Sequence, residues 1–337
     1  MNGQISVPAS TDSGAKQSPM LGFLLALVIG LASYWVSTLH PSLEALAVAL
    51  LLGITVRSLL GNDTSLRRGI QLAVRVFIPV GIILYGVRLD FPLLGSLATS
   101  IILRTIINMG LFFLIVFALS HWWPVRRATR ILLASGSAIC GASAIVVLSP
   151  AAEAEPEDTS VSLIVVTAVG LLGAMLFPVL KASFGWSDQL YAILAGSTLQ
   201  QTASVKLAVE GLSQEIIEYA LAVKMVRVIM LVPVAFGLTW FNRRQDTSRL
   251  KALGQVWFVF VFAVVGLLVS FPSLQGLQSA LAPWSSIALT LAMASIGLTV
   301  NLDSVVNAGL RPLLIGLFTW LIVFIFFVLS TLVFPIQ

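Results

Sequence analysis

Charge is scarce in this chain. Lys, Arg, Asp and Glu make up 10% of its 337 residues, against about 25% in soluble domains. That excludes an ordinary water-facing surface. Cysteine occurs once, at Cys140, which excludes an intramolecular disulfide and a CxxC metal site. The two histidines, His40 and His121, both fall at the ends of apolar runs, which argues against a His-rich metal centre. Carboxylates are nearly missing from the apolar interior, so paired-acid catalysis has no partners there. No histidine lies deep enough to activate Cys140 or Ser143, so the chain is not expected to be an enzyme. No organic cofactor is expected, and a coupling Na⁺ or H⁺ stays open.

What is abundant is apolar. The hydrophobic share is 58% and the mean hydropathy +1.02. The runs are too long for the core of a soluble fold, so the reading is an all-α polytopic membrane protein surrounded by lipid bilayer. The formal charge of +5 sits mostly between the runs, where it sets topology rather than binding nucleic acid. Residues 1–18 are polar and read as a disordered cytoplasmic tail, not a signal peptide, with Lys16 their only cation.

About eleven spans follow: 19–37, 43–60, 69–87, 96–120, 128–150, 159–180, 187–210, 215–241, 253–270, 280–300 and 312–334. With the N-terminus cytoplasmic, the inner segments hold Lys16, Arg67, Arg68, Arg126, Arg127, Arg130, Lys181, Arg243, Arg244, Arg249, Lys251 and Arg311, and the outer ones only Arg88. This fits the positive-inside rule. It puts the C-terminus outside, together with the acidic segment Glu153, Glu155, Glu157 and Asp158. Span 19–37 is extra. The rest divides into two five-span repeats, 43–180 and 187–334, and an odd number per repeat makes them inverted. Their fourth spans are 128–150 and 280–300, each with small and hydroxyl residues at its centre. A second register would pair Gly86-Val-Arg-Leu-Asp90 with Gly297-Leu-Thr-Val-Asn-Leu-Asp303, hence span three with span ten.

Arg130 to Pro150 carries the clearest irregularity. Ser135, Gly136, Ser137, Cys140, Gly141 and Ser143 crowd its middle. Such residues suit either a small-residue packing face or a helix broken near Ile139–Gly141, with a half-helix N-terminus in mid-membrane. In span seven, Ser197, Gln200, Gln201 and Ser204 recur at helical spacing, as interhelical glue or as a lining for substrate. In span eight, Lys224 and Arg227 lie one turn apart, each costing about 2.5–3.5 kcal/mol at a helix centre. They either face water and an anion or donate to the backbone carbonyls of broken helices. Arg75 and Arg104 can snorkel, and Lys206 is placed nearer the outer surface. Pro79 and Pro233 are expected to kink their spans.

These residues resemble the YeiH family of bacterial inner-membrane proteins, to which sulfate export has been ascribed. The resemblance covers about residues 45–325. Its motifs are Pro79-Val-Gly-Ile-Ile-Leu-Tyr-Gly-Val-Arg-Leu89, Ser137-Ala-Ile-Cys-Gly-Ala-Ser-Ala144, Lys224-Met-Val-Arg227 before Pro233, and Ala292-Met-Ala-Ser-Ile-Gly-Leu298. It implies a transporter of the broad class of bile-acid symporters and sodium/proton antiporters, with inverted five-helix repeats and crossed discontinuous helices. Where the family often has Cys-Gly-Asn-Ser, this chain has Cys140-Gly141-Ala142-Ser143. Where it often has His-Glu-Val-Ala-Gln, this chain has Gln200-Gln201-Thr202-Ala203-Ser204.

The expected function is secondary transport of a small anion, such as sulfate, sulfite or an organosulfonate, by alternating access. A sodium-coupled importer of an organic anion and a non-transporting receptor or subunit are the alternatives. The expected site combines Ser137, Cys140, Gly141, Ser143, Gln200, Gln201, Ser204, Lys224, Arg227 and Ser295, at a crossing of spans five and ten. A homodimer is allowed.

Overall fold

The computed structural model describes residues 19–39, 45–60, 66–88, 95, 97–241, 257–271, 274–300 and 309–333. The tail 1–18, His40, Asp90, Asn301 and Asp303, and the basic cluster Arg243, Arg244, Arg249 and Lys251 lie outside the described residues.

The protein is an all-α polytopic membrane protein. Its helices are α1 (Pro19–Ser37), α2 (Ala45–Leu60), α3 (Arg67–Tyr85), α4 (Thr99–Trp122), α5 (Arg127–Ala138), α6 (Ala142–Leu148), α7 (Pro156–Phe184), α8 (Asp188–Thr198), α9 (Thr202–Ala208), α10 (Gln214–Ile229), α11 (Leu231–Phe241), α12 (Trp257–Val269), α13 (Gln275–Gly297) and α14 (Arg311–Val333). Helices dominate because lipid offers nothing to an unpaired backbone amide. Hydroxyls inside the helices follow the same rule. Ser33, Thr105, Ser120 and Ser295 each donate to the carbonyl four residues back, at 2.6–2.8 Å.

Seven described helices, counting α10 and α11 as one, are long and apolar enough to cross a membrane, and α2 and α12 contribute shorter apolar helices. These nine match nine of the eleven expected spans. The other two, 128–150 and 187–210, are not crossings. They are re-entrant hairpins, and this corrects the sequence reading.

In the first hairpin, α5 runs in, the chain turns at Ile139–Gly141, and α6 runs back. Gly136 and Ile145, nine positions apart, touch across the turn: a Cβ on Gly136 would sit 2.8 Å from the Ile145 side chain. At the open end, Arg126 pairs with Glu155 at 2.9 Å. Thr129 donates to Asp158 at 2.6 Å, and the Ser149 and Thr159 hydroxyls are 2.6 Å apart. Groups on opposite faces of a bilayer core are about 30 Å apart, so a crossing span could not make these contacts. In the second hairpin α8 and α9 run antiparallel, and the Tyr191 hydroxyl donates to the Ala208 carbonyl at 2.5 Å.

The hairpins open on opposite faces of the molecule. Pro156 and Glu157, just past the first, line a cavity with Arg57 and Arg67. Lys206, on the returning limb of the second, lines a cavity with Ala45 and Tyr85. Arg67 and Tyr85 are the two ends of α3. The segment Glu153–Asp158 therefore lies on the Arg67 face, not on the opposite one as the loop charges suggested. The long helix α7, 29 residues or about 43 Å, joins the two hairpins. Two segments that each fail to cross cancel in the count, so every helix from α10 onward keeps the direction the charges implied.

Packing divides the helices into two bundles. Helices α1, α2, α3, α12 and α13 form one; α4 to α11 and α14 form the other. Glycines bring the first bundle close together. Gly53 of α2 meets Gly297 and the Ala294 carbonyl of α13, where an added Cβ would lie 2.7 Å from that oxygen. Gly30 of α1 and Gly81 of α3 meet Leu291 and Leu289 of the same helix. Close approach through small residues is how helices associate where lipid removes the hydrophobic drive. Helix α13 is continuous through this contact. The expected interruption of span ten is absent, because its small residues serve packing instead.

Candidate functional site

The α5–α6 turn meets the α8–α9 turn in the interior of the second bundle. The break in span five thus crosses the break in span seven, not span ten. Gly141 stands at the contact, with φ +73°. A Cβ there would lie 2.3 Å from Cγ of Gln201 and 3.3 Å from the Gln200 carbonyl. This backbone region favours glycine, and the close approach requires it as well.

A broken helix leaves carbonyls without partners at its C-terminal end, where the dipole is negative. Here two such ends point at one another. Helix α10 answers both. Arg227 donates from Nε to the Ala138 carbonyl at 2.6 Å, and from Nη2 to the Ser137 carbonyl. Its Nη1 donates to the Ser197 and Leu199 carbonyls at 2.9 and 2.7 Å. Lys224 donates to the Leu199 and Gln200 carbonyls, each at 2.6 Å. Both side chains are fully buried, and the Arg227 guanidinium lies over the Phe112 ring, 5.2 Å from its centroid. Asn108 of α4 adds a further donor to Ser197, at 2.8 Å. Of the two alternatives for Lys224 and Arg227, the arrangement matches donation to carbonyls. Neither residue lines a cavity described here.

A cavity of about 170 Å³ lies beside the crossing, between the two bundles. The hairpins contribute Cys140, Ser143, Gln201, Thr202, Ala203 and Lys206, and α2, α3 and α13 contribute Ala45, Leu46, Tyr85, Ser286, Leu289 and Thr290. Gln201 is held by a 2.8 Å bond from its amide to the Thr167 hydroxyl of α7. Lys206 is exposed and is the only cation among the cavity's described lining residues.

Cys140, Ser143 and Gln201 of the expected set thus share one cavity. The others do not line it. Ser137 is buried and gives its carbonyl to Arg227, while Gly141 is the contact between the turns. Ser295 is spent on its own helix. The stripe of span seven separates because α8 stops at Thr198 and α9 restarts at Thr202, which breaks the helical spacing. Ser197 faces Thr105 of α4, their hydroxyls 3.3 Å apart. Gln200 and Ser204 face Gly170 of α7, and both polar atoms of the buried Gln200 side chain lack a hydrogen-bond partner among the described residues. Tyr85 and Thr202 were missed as lining residues, although Tyr85 sits inside the Pro79–Leu89 motif. Lys206 was noted only as a surface cation.

The family described as "Conserved hypothetical protein 698" matches residues 21–316. A UPF0324 membrane protein of Archaeoglobus fulgidus is 35% identical over 316 residues, covering 94% of this chain and 93% of its own. The UPF0324 inner membrane protein YeiH of Escherichia coli K12 is 30% identical over 317 residues, 90% of this chain and 91% of its own. A UPF0324 membrane protein of Pasteurella multocida is 28% identical over 318 residues, 90% and 94% respectively. No solved structure matches. The chain belongs to this family of UPF0324 membrane proteins, the family that includes YeiH.

Proposed function

We propose that the protein is a secondary transporter of a small anion, and that the anion binds in the cavity between Ser143, Gln201 and Lys206. The observation that carries this reading is that both hairpin turns line one cavity on the seam between two bundles. Rocking or sliding one bundle against the other would change access to that cavity, which is what alternating access requires. Lys206 supplies the charge, and Ser143, Gln201 and Thr202 supply donors that suit an oxyanion such as sulfate, sulfite or an organosulfonate, while the Ser286 and Thr290 hydroxyls donate within their own helix. The proposed role is transport, not catalysis.

The orientation we infer puts the Arg67 face in the cytoplasm. That face carries Arg57, Arg67, Arg68, Arg126, Arg127, Arg130 and Arg311; the other carries Arg88, Arg104, Lys181 and Lys206. The Lys/Arg bias sets topology, and acids weigh little in it. In a bacterial host this puts the protein in the inner membrane, as the name of the Escherichia coli relative says of that protein.

The repeats are inverted in a permuted order under this proposal. The hairpins have limbs of 12 and 7 residues and of 11 and 7 residues, and they open on opposite faces. Matching them pairs α7 with α10–α11, α4 with α14, α3 with α13 and α2 with α12, each pair antiparallel. This keeps the division at 180/187 and the pairing of Gly86–Asp90 with Gly297–Asp303, and replaces the match of span 128–150 with span 280–300.

Lys206→Ala is expected to raise the KM for anion flux in proteoliposomes about tenfold, in line with a charge-assisted contact, and Ser143→Ala to raise it less. Unchanged flux in both variants would remove the cavity from the pathway. Repeating the assay with and without a Na⁺ gradient or a proton gradient assigns the coupling ion.

A further inference from the structure

A second cavity, of about 790 Å³, lies on the Arg67 face of the same seam. Helix α3 presents Arg67, Gln71 and Arg75 to it, at four-residue spacing on one side of the helix, and α2 adds Arg57 from its last turn. Thr299, just past α13, adds a hydroxyl, and Glu157 at the start of α7 is the one carboxylate among the lining residues. Among the described lining residues, three guanidiniums stand beside one carboxylate. Arg75 lies two turns inside α3, and it faces this cavity as well as having the option of snorkelling along lipid. Helices α2, α3 and α13 line both cavities. Along α3 the step from Arg75 to Tyr85 is ten residues, about 15 Å, and the buried Ile78 and Ile82 lie between.

We propose that this basic cavity is a second oxyanion site, separate from the one at the hairpin turns, with Arg57, Arg67 and Arg75 as its ligands. Planar guanidiniums bind the oxygens of sulfate or phosphate groups in pairs. The proposal deepens the transport reading and rests on it for the site's role, as the docking point from which an anion approaches or leaves on that face. It does not rest on it for the site's existence. A free oxyanion and the phosphate of an anionic lipid headgroup share this chemistry.

The test is equilibrium binding of radiolabelled inorganic sulfate to the full-length protein in nanodiscs of zwitterionic lipid. Two sites per chain are expected. Arg75→Gln weakens one at least about tenfold, Arg75→Lys weakens it less, and Lys206→Ala affects only the other. Thermal unfolding without sulfate is expected to be the same for wild type and Arg75→Gln, which separates lost binding from lost folding. Replacing the lipid with phosphatidylglycerol distinguishes the sources. Loss of the Arg75-dependent site there assigns it to lipid phosphate, and persistence assigns it to the free anion. Binding that is indifferent to Arg75→Gln and Arg57→Gln in both lipids overturns the site. No flux in proteoliposomes alongside two binding sites would overturn the transport reading and leave this site standing.

Discussion

Arg227→Ala is expected to cost stability before it costs transport. The substitution strips donors from four carbonyls, those of Ser137, Ala138, Ser197 and Leu199, in a region closed to water. Removing one partner of a buried charged network costs roughly 3–5 kcal/mol. Both hairpin turns should loosen together, because one guanidinium holds both. The thermal midpoint in detergent should fall sharply, and protease should reach the chain near Ile139 and Leu199. Arg227→Lys keeps the charge but has one nitrogen to serve carbonyls from two directions, so it should recover only part of the loss. A stably folded Arg227→Ala protein with abolished flux would mean that the guanidinium serves the anion instead. Lys224→Met should be milder, since it strips donors from two carbonyls and Arg227 still reaches that of Leu199.

Gly141→Ala is the second large expectation. An alanine at φ +73° carries backbone strain on the order of 1–3 kcal/mol. Its methyl would also press into Cγ of Gln201 at 2.3 Å. The two costs are separable. Adding Gln201→Ala removes the clash and leaves the strain, so the double variant should regain part of the lost thermal stability. If Gly141→Ala alone were neutral, the two turns would not meet as described.

The apolar segments were legible in the sequence because a bilayer leaves helices few alternatives, and every expected segment is mainly helical over its described residues. The discontinuity at Ile139–Gly141 was legible too, because glycine and serine at the centre of an apolar run have few uses. That the run turns back was not. A 23-residue hairpin and a 23-residue span look alike in length and in composition. The contacts that distinguish them, Arg126 with Glu155 and Thr129 with Asp158, are pairs whose closeness only the fold creates. Loop charges hid the error, since the second hairpin undid the first. Lys224 and Arg227 stood out as costly, but their counter-charge is the carbonyl ends of two half-helices rather than a carboxylate. Lys206 drew little notice, because a cation near a helix end is ordinary until a cavity opens beside it.

The re-entrant first hairpin is the premise for the crossing and for the cavity it lines. It is tested most directly by accessibility. The chain's single cysteine, Cys140, is replaced with serine, and cysteine is then introduced singly at Arg67, Lys206 and Glu157 in intact cells. A membrane-impermeant thiol reagent should label the Lys206 position from outside, and should reach the Arg67 and Glu157 positions only after the membrane is opened. Labelling of Glu157→Cys together with Lys206→Cys in sealed cells would make 128–150 a true crossing and contradict the account.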